Sequence, residues 1–107
     1  MTYWVISDTH FGHEACKEWC GRPDDFEDKI FNYMASFIEP EDILIHLGDV
    51  AFYNEKQWHR WLRSEVHGKH WLVKGNHDKR SDIWYLNNGW EYVSNINGDK
   101  VIVRIPY

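Results

Sequence analysis

The apolar positions of this chain fall into short unbroken runs separated by segments of helical period. Residues 4–6 (Trp-Val-Ile), 43–47 (Ile-Leu-Ile-His-Leu) and 70–73 (His-Trp-Leu-Val) are continuous rather than alternating. That is the pattern of strands buried on both faces, as in a parallel sheet. Between the first two runs, Ile30, Met34, Phe37 and Ile38 recur at helical spacing behind a capping-box pair, Asp24 and Glu27, and predict a helix over 26–38. Trp58, Trp61, Leu62 and Val66 share the face of a second helix, opened by Asn54 with Gln57 and closed at Gly68. The resulting β-α-β-α-β order implies right-handed crossovers and a parallel sheet in an α/β fold. Residues 11–25 hold Gly12, Gly21 and Pro23 and lack periodicity, so a long loop is expected there, with one helical turn over 14–19. A short helix over 83–86 ends near Asn88-Gly89. Segments 91–96 and 100–105 flank Asn97-Gly98 and predict a C-terminal antiparallel hairpin. Residues 39–42 read as a solvated turn.

Each buried run leads into residues with chemistry. The first is followed by Asp8-Thr9-His10, the second by Gly48-Asp49, and the third by Lys74-Gly75-Asn76-His77-Asp78. In an open parallel sheet, ligands gather beyond the carboxyl ends of the strands, where the connecting loops converge. Asp8 and His10 are two apart and in an extended segment point to the same side, able to grip one ion. Asp49 has two oxygens with which to bridge two ions, and Gly48 lets the backbone come close. Asn76 offers a neutral oxygen to the second ion, which leaves His77 for acid chemistry. Two ions about 3.5 to 4 Å apart clamp a bridging hydroxide and the oxygens of a phosphate ester. Carboxylate, amide and imidazole ligands suit manganese, iron, zinc or nickel rather than calcium. An isolated Asp-x-His or Gly-Asp proves little, and the weight lies in their joint placement after three buried strands. His46 reads as a packed, hydrogen-bonded histidine. His59, His67 and His70 are given no function, and Trp58, Trp61 and Trp71 are read as core.

Composition narrows the field. A chain of 107 residues is one domain, and 43% apolar with 17% aromatic residues supplies a core and excludes disorder. The net charge of -5 argues against general nucleic-acid binding, which draws its affinity from Lys and Arg on phosphates. No apolar stretch approaches the roughly 20 residues of a membrane span, and the first residues show no basic region leading into an apolar segment of signal-peptide type. A cytoplasmic protein is expected. Cys16 and Cys20 sit one helical turn apart and are read as reduced thiols.

The three motifs, in this order and at these intervals, resemble the first three motifs of the calcineurin-like metallophosphoesterases, and the wider runs 8–13 and 46–51 are similar to small bacterial and phage-type members. The resemblance spans nearly the whole chain. It implies the N-terminal part of that family's α/β sandwich, with residues 1–107 a single truncated domain. It implies two divalent ions, with Asp8 and His10 on the first, Asp49 bridging and Asn76 on the second. His77 would then protonate the leaving group or steady the transition state, with Asp78 as its partner, and Arg22 would contact the phosphate of a phosphate-ester substrate, while His13, in a glycine-containing loop, reads as either a substrate or supporting group or a structural residue. The family continues into a later histidine and a Gly-His-x-His segment, yet no histidine follows His77 here. The first ion therefore keeps three protein ligands and the second only Asp49 and Asn76. The resulting expectation is hydrolysis of phosphomonoesters or phosphodiesters by a dinuclear centre that is incomplete in this chain and holds one ion well. The alternative is a catalytically silent metal-binding or partner-complemented regulatory module. A second sheet reduced in this way leaves an uncovered strand edge open to self-association.

Overall fold

The computed structural model of the chain describes residues 1–19 and 21–95, apart from the side chains of Cys16 and Asn95. The Cys16 and Cys20 pair, the Asn97-Gly98 turn and the strand expected over 100–105 lie outside that description. The elements run β1 (Tyr3–Ile6), α1 (Ala15–Trp19), α2 (Phe26–Phe37), β2 (Ile43–His46), α3 (Glu55–Glu65), β3 (Lys69–Lys74), α4 (Asp82–Asn87) and β4 (Tyr92–Asn95). The strands lie side by side in chain order, every neighbouring pair parallel. The α/β expectation therefore holds over the described residues. The segment expected as the first arm of a hairpin does form a strand, but it joins the sheet parallel to β3. Helix α4 is the reason: it returns the chain to the starting end of β3, where Glu91 N–H donates to His70 O at 2.9 Å, and a parallel pair needs such a crossover.

One face of the sheet carries the main core. Leu44 and Leu72 meet Met34 and Ile38 from the α2 side, Leu62 and Val66 from α3, and Tyr85 from α4, with Phe11, Val50 and Trp90 filling the ends. Fully burying a Leu or Met side chain of this kind contributes about 1.5–3 kcal/mol. Phe11, Phe31 and Trp58 stack against one another in a triangle, with ring centres 4.9, 5.5 and 6.1 Å apart. On the opposite face Tyr3, Ile43, Ile45 and Trp71 form a second, smaller cluster. Val5 of the edge strand β1 stays 63% exposed. Among the described residues no helix is long and apolar enough to cross a membrane.

Several polar side chains do other work than their sequence position announces. Asp25, at the start of α2, makes no side-chain cap bond. Glu27, expected in a capping box, instead accepts from Gly12 N–H at 3.1 Å and ties α2 to the loop after β1. Asn54 adopts a left-handed conformation and does not cap α3, whereas Ser81 does cap α4, accepting from Trp84 N–H. Asp42, read from sequence as part of a solvated turn, is only 3% exposed. Its carboxylate accepts from Thr2 N–H, Trp4 Nε1–H and Glu39 N–H, fastening the starts of β1 and β2 together. The Trp4 bond is the foremost of the contacts that hold its pKa below the usual carboxylate value.

Three histidines are buried in this scaffold: His46, His59 and His70. Burial pushes His46 down to about 3 and His59 to about 4, and lowers His70 as well. All three are neutral when folded at neutral pH, while in the unfolded chain they take up protons below about 6.5. The unfolded state then binds more protons, so stability is full above that pH and falls as the pH drops, by about 1.4 kcal/mol per pH unit for each group. From His46 and His59 alone, urea unfolding at pH about 7.5 and about 5 is expected to differ by roughly 4 kcal/mol, with His70 adding in the same direction. Equal stabilities would show that the imidazoles are not buried as described.

Candidate metal centre

The register sets the site. Ile6 pairs with His46 and His46 with Leu72, so β1 and β2 end at the same level, β3 runs two residues further to Lys74, and the loops of all three leave from one edge of the sheet. Backbone pairing then continues past the strands. Asp8 N–H donates to Gly48 O at 3.0 Å, His10 N–H to Asp49 O at 3.1 Å and Phe11 N–H to Val50 O at 2.9 Å. Asp8, His10 and Asp49 are thereby brought to one place, each offering a ligand atom within 4.8 Å of the others. His10 Nε2 and Asp49 Oδ2 lie 3.9 Å apart.

The route to that convergence differs from the extended-chain expectation. Asp8, His10 and Asp49 all have positive φ, at 55°, 51° and 56°. For residues other than glycine this left-handed region costs on the order of 1–3 kcal/mol each and persists only where surrounding contacts impose it. Here the imposing contacts are identifiable. Arg22 donates from Nη1 to Thr9 O and from Nη2 to Asp8 O, both at 2.6 Å, with its guanidinium 5.0 Å from the centre of the Phe26 ring. The side chain expected to contact substrate phosphate thus also holds the first loop.

Asp78 is spent in a similar way. Expected as a partner for His77, it is 6% exposed, and its carboxylate accepts from Asp49 N–H at 2.7 Å, Gly75 N–H at 2.8 Å and Val50 N–H at 3.2 Å. One carboxylate therefore joins the second and third loops. The two loops can approach because both contribute glycine. A Cβ built on Gly48, whose φ is +111°, would lie 2.4 Å from Gly75 N, and one on Gly75 would lie 2.6 Å from Asp49 Oδ1. Gly48→Ala is expected to force the loops apart, lowering stability by about 3 kcal/mol or more and weakening Mn²⁺ binding in parallel. Denaturant unfolding and a metal titration on the same sample check both halves. Wild-type values would mean that the approach is not needed.

Beneath the loops, His46 accepts from Gly48 N–H at Nδ1, 3.0 Å away. Its proton therefore sits on Nε2 and is donated to Thr9 Oγ1 at 3.0 Å, and the Thr9 hydroxyl donates onward to Val50 O at 2.8 Å. This buried chain fixes the tautomer and cross-links the first two loops, fulfilling the packed role expected for His46.

On the solvent side, burial lowers the His10 pKa, outweighing the opposite push of Asp49, and keeps the imidazole in the neutral form a metal requires. Its Nδ1 lies 3.3 Å from His13 Nδ1. His13 stacks on Phe52 at 4.2 Å with 14° between the planes, and Phe52 also meets His10 at 4.6 Å and His77 at 4.8 Å. Phe52 is a hub that sequence reasoning missed. Its only signal was its place three residues after Asp49. His77 is exposed, and its N–H donates to Asp49 Oδ1 at 2.9 Å. Asn76, exposed on the same turn, precedes it directly. The structure thus gathers Asp8, His10, Asp49, His13 and the backbone of His77, with the Arg22 and Asp78 side chains bonded to the backbone of the surrounding loops.

The family model of the calcineurin-like phosphoesterases matches residues 1–105. An uncharacterised protein of Methanocaldococcus jannaschii is 27% identical over 103 residues, covering 90% of this chain and 58% of that protein. The crystal structure of a protein of unknown function from Aquifex aeolicus superposes with a TM-score of 0.73 at 31% identity, covering 88% of this chain and 52% of that one. The chain spans between half and three fifths of the length of these relatives. With a match that runs over nearly all of its residues, and with the motif loops meeting where three parallel strands end, this chain belongs to the calcineurin-like phosphoesterase family.

Proposed function

We propose that the chain holds a divalent metal ion on Asp8, His10 and Asp49 and hydrolyses phosphate monoesters or diesters there. The observation that carries this reading is the convergence of the three ligand atoms within 4.8 Å on loops that leave adjacent parallel strands. The donor set fits such an ion: two carboxylates and a neutral imidazole suit manganese, iron, zinc or nickel. When bound, the metal lowers the pKa of its water and polarises the phosphoryl oxygens. The protein's own part is orientation. Asp49 is held at its backbone N–H by Asp78 and at Oδ1 by His77 N–H, so its carboxylate has little freedom to turn away. His13 and Phe52 brace the His10 ring from one side. His77 is the proposed proton donor to the leaving oxygen, its ring steadied by Phe52. Asn76 and the remaining Asp49 oxygen are the donors for a second ion, a thinner set than the first.

Titration of the metal-free chain with Mn²⁺, read by calorimetry and by metal analysis after dialysis, tests this directly. One ion retained per chain is expected, with a second bound only weakly. Hydrolysis of 4-nitrophenyl phosphate and bis(4-nitrophenyl) phosphate under the same conditions reports the chemistry. A chain that takes up no Mn²⁺ at millimolar concentration refutes the assignment.

A further inference from the structure

An open groove of about 590 Å³ is lined by Asn54, Glu55, Lys56, Arg60, Arg80 and Trp84 among others. Its volume lies within the range of roughly 300–1,000 Å³ typical of small-molecule sites. Two of its lining segments lead directly out of the centre along the chain. Asn54 is two residues beyond Phe52, whose ring touches both His10 and His77, and Arg80 is three residues beyond His77 on the loop after β3.

In a chain of net charge -5, three of these groups are cations and one is an anion. Both arginines are anchored through Nε alone. Arg60 Nε donates to Asn88 Oδ1 at 3.0 Å, and Arg80 Nε donates to Glu55 Oε2 at 3.4 Å while its guanidinium lies 5.4 Å from the Trp84 ring centre. Among the described residues the Nη nitrogens of both make no hydrogen bond. A guanidinium engaged at Nε with its paired Nη donors unspent matches a phosphate in a two-pronged geometry. Nothing in the proposed hydrolysis at Asp8, His10 and Asp49 uses these donors.

We propose that this groove is an anion subsite receiving a second phosphate, carried by the substrate beyond the ester bond that is cut. The inference rests on the phosphoesterase reading for what the substrate is, and it narrows the class to organic phosphates bearing two anionic groups, such as bisphosphates or short phosphodiesters. Glu55 opposes such a ligand and competes with it for Arg80, so the subsite carries its own attenuator.

The test uses metal-free protein, so that phosphate is not captured by an ion at Asp49. Calorimetric titration at low ionic strength, where exposed charges are least screened, compares adenosine 5′-monophosphate, inorganic phosphate and adenosine. The two phosphates are expected to bind and adenosine not. Replacing both arginines (R60A with R80A) is expected to weaken the phosphates by at least about tenfold, and Glu55→Gln to tighten them about two- to fivefold. The opposite sign of the Glu55 effect keeps the proposal testable should the double variant fail to fold. Equal affinity in wild type and double variant, tighter adenosine than phosphate binding, or no phosphate binding by wild type overturns it. A chain that holds Mn²⁺ and cleaves aryl phosphates yet binds no phosphate in this assay sinks the subsite alone. One that binds phosphate here but never takes up metal sinks only the phosphoesterase reading.

Discussion

Asp49→Asn is expected to abolish hydrolysis and to weaken Mn²⁺ binding by more than the 10–100-fold that loss of an outer partner of a ligand typically costs. The substitution keeps the volume and the Oδ1 position that receives His77 N–H, so the fold has little reason to change. What it removes is the charge, and with it the second oxygen. Asp49 Oδ2 is the atom nearest His10 Nε2, at 3.9 Å, and an amide NH2 in its place would turn a donor toward a cation. Asp8 and His10 would remain, one carboxylate and one imidazole, too few to hold an ion firmly. Calorimetric Mn²⁺ titration of wild type and variant, with circular dichroism to confirm the fold, reads the effect. A variant that binds Mn²⁺ as tightly as wild type would remove Asp49 from the ligand set.

Asp78→Ala is expected to lower unfolding free energy by about 3–5 kcal/mol, since it strips the acceptor from three backbone N–H groups at once and such groups cost about 1–3 kcal/mol each when buried without a partner. Two of the three belong to Asp49 and Val50, so the loss falls on the loop that carries the central carboxylate. Metal affinity should therefore fall too, by the 10–100-fold expected when the group orienting a ligand is lost. Asp78→Asn separates the contributions. Its single oxygen can replace Oδ2, which serves Asp49 and Gly75, but its amide then faces Val50 N–H, so an intermediate loss is expected. Urea unfolding with and without Mn²⁺ measures both effects. If Asp78→Ala stayed within about 1 kcal/mol of wild type, its carboxylate would not be the clamp between the loops. A role for Asp78 as the proton partner of His77 predicts the reverse pattern, lost turnover at unchanged stability.

What the sequence determined by itself is the set of elements and the end of the sheet at which the chemistry gathers. Continuous apolar runs mark β1, β2 and β3, and helical spacing marks α2 and α3, because both signals are local and survive without knowledge of neighbours. Asp8, His10 and Asp49 were legible because each follows such a run directly. The tertiary structure decided everything that depends on which loops meet. It made Asp8 and His10 converge through left-handed backbone rather than through the alternation of a strand. It set the Arg22 and Asp78 side chains on backbone carbonyls and amides of the loops, and turned Glu27 from a helix cap into a tether for Gly12. It raised Phe52 to the hub of three imidazoles, sent β4 parallel to β3, and buried Asp42 under three donors. A polar side chain takes the nearest unsatisfied backbone group, and its identity is set by chain segments tens of residues away. Periodicity carries no record of that distance.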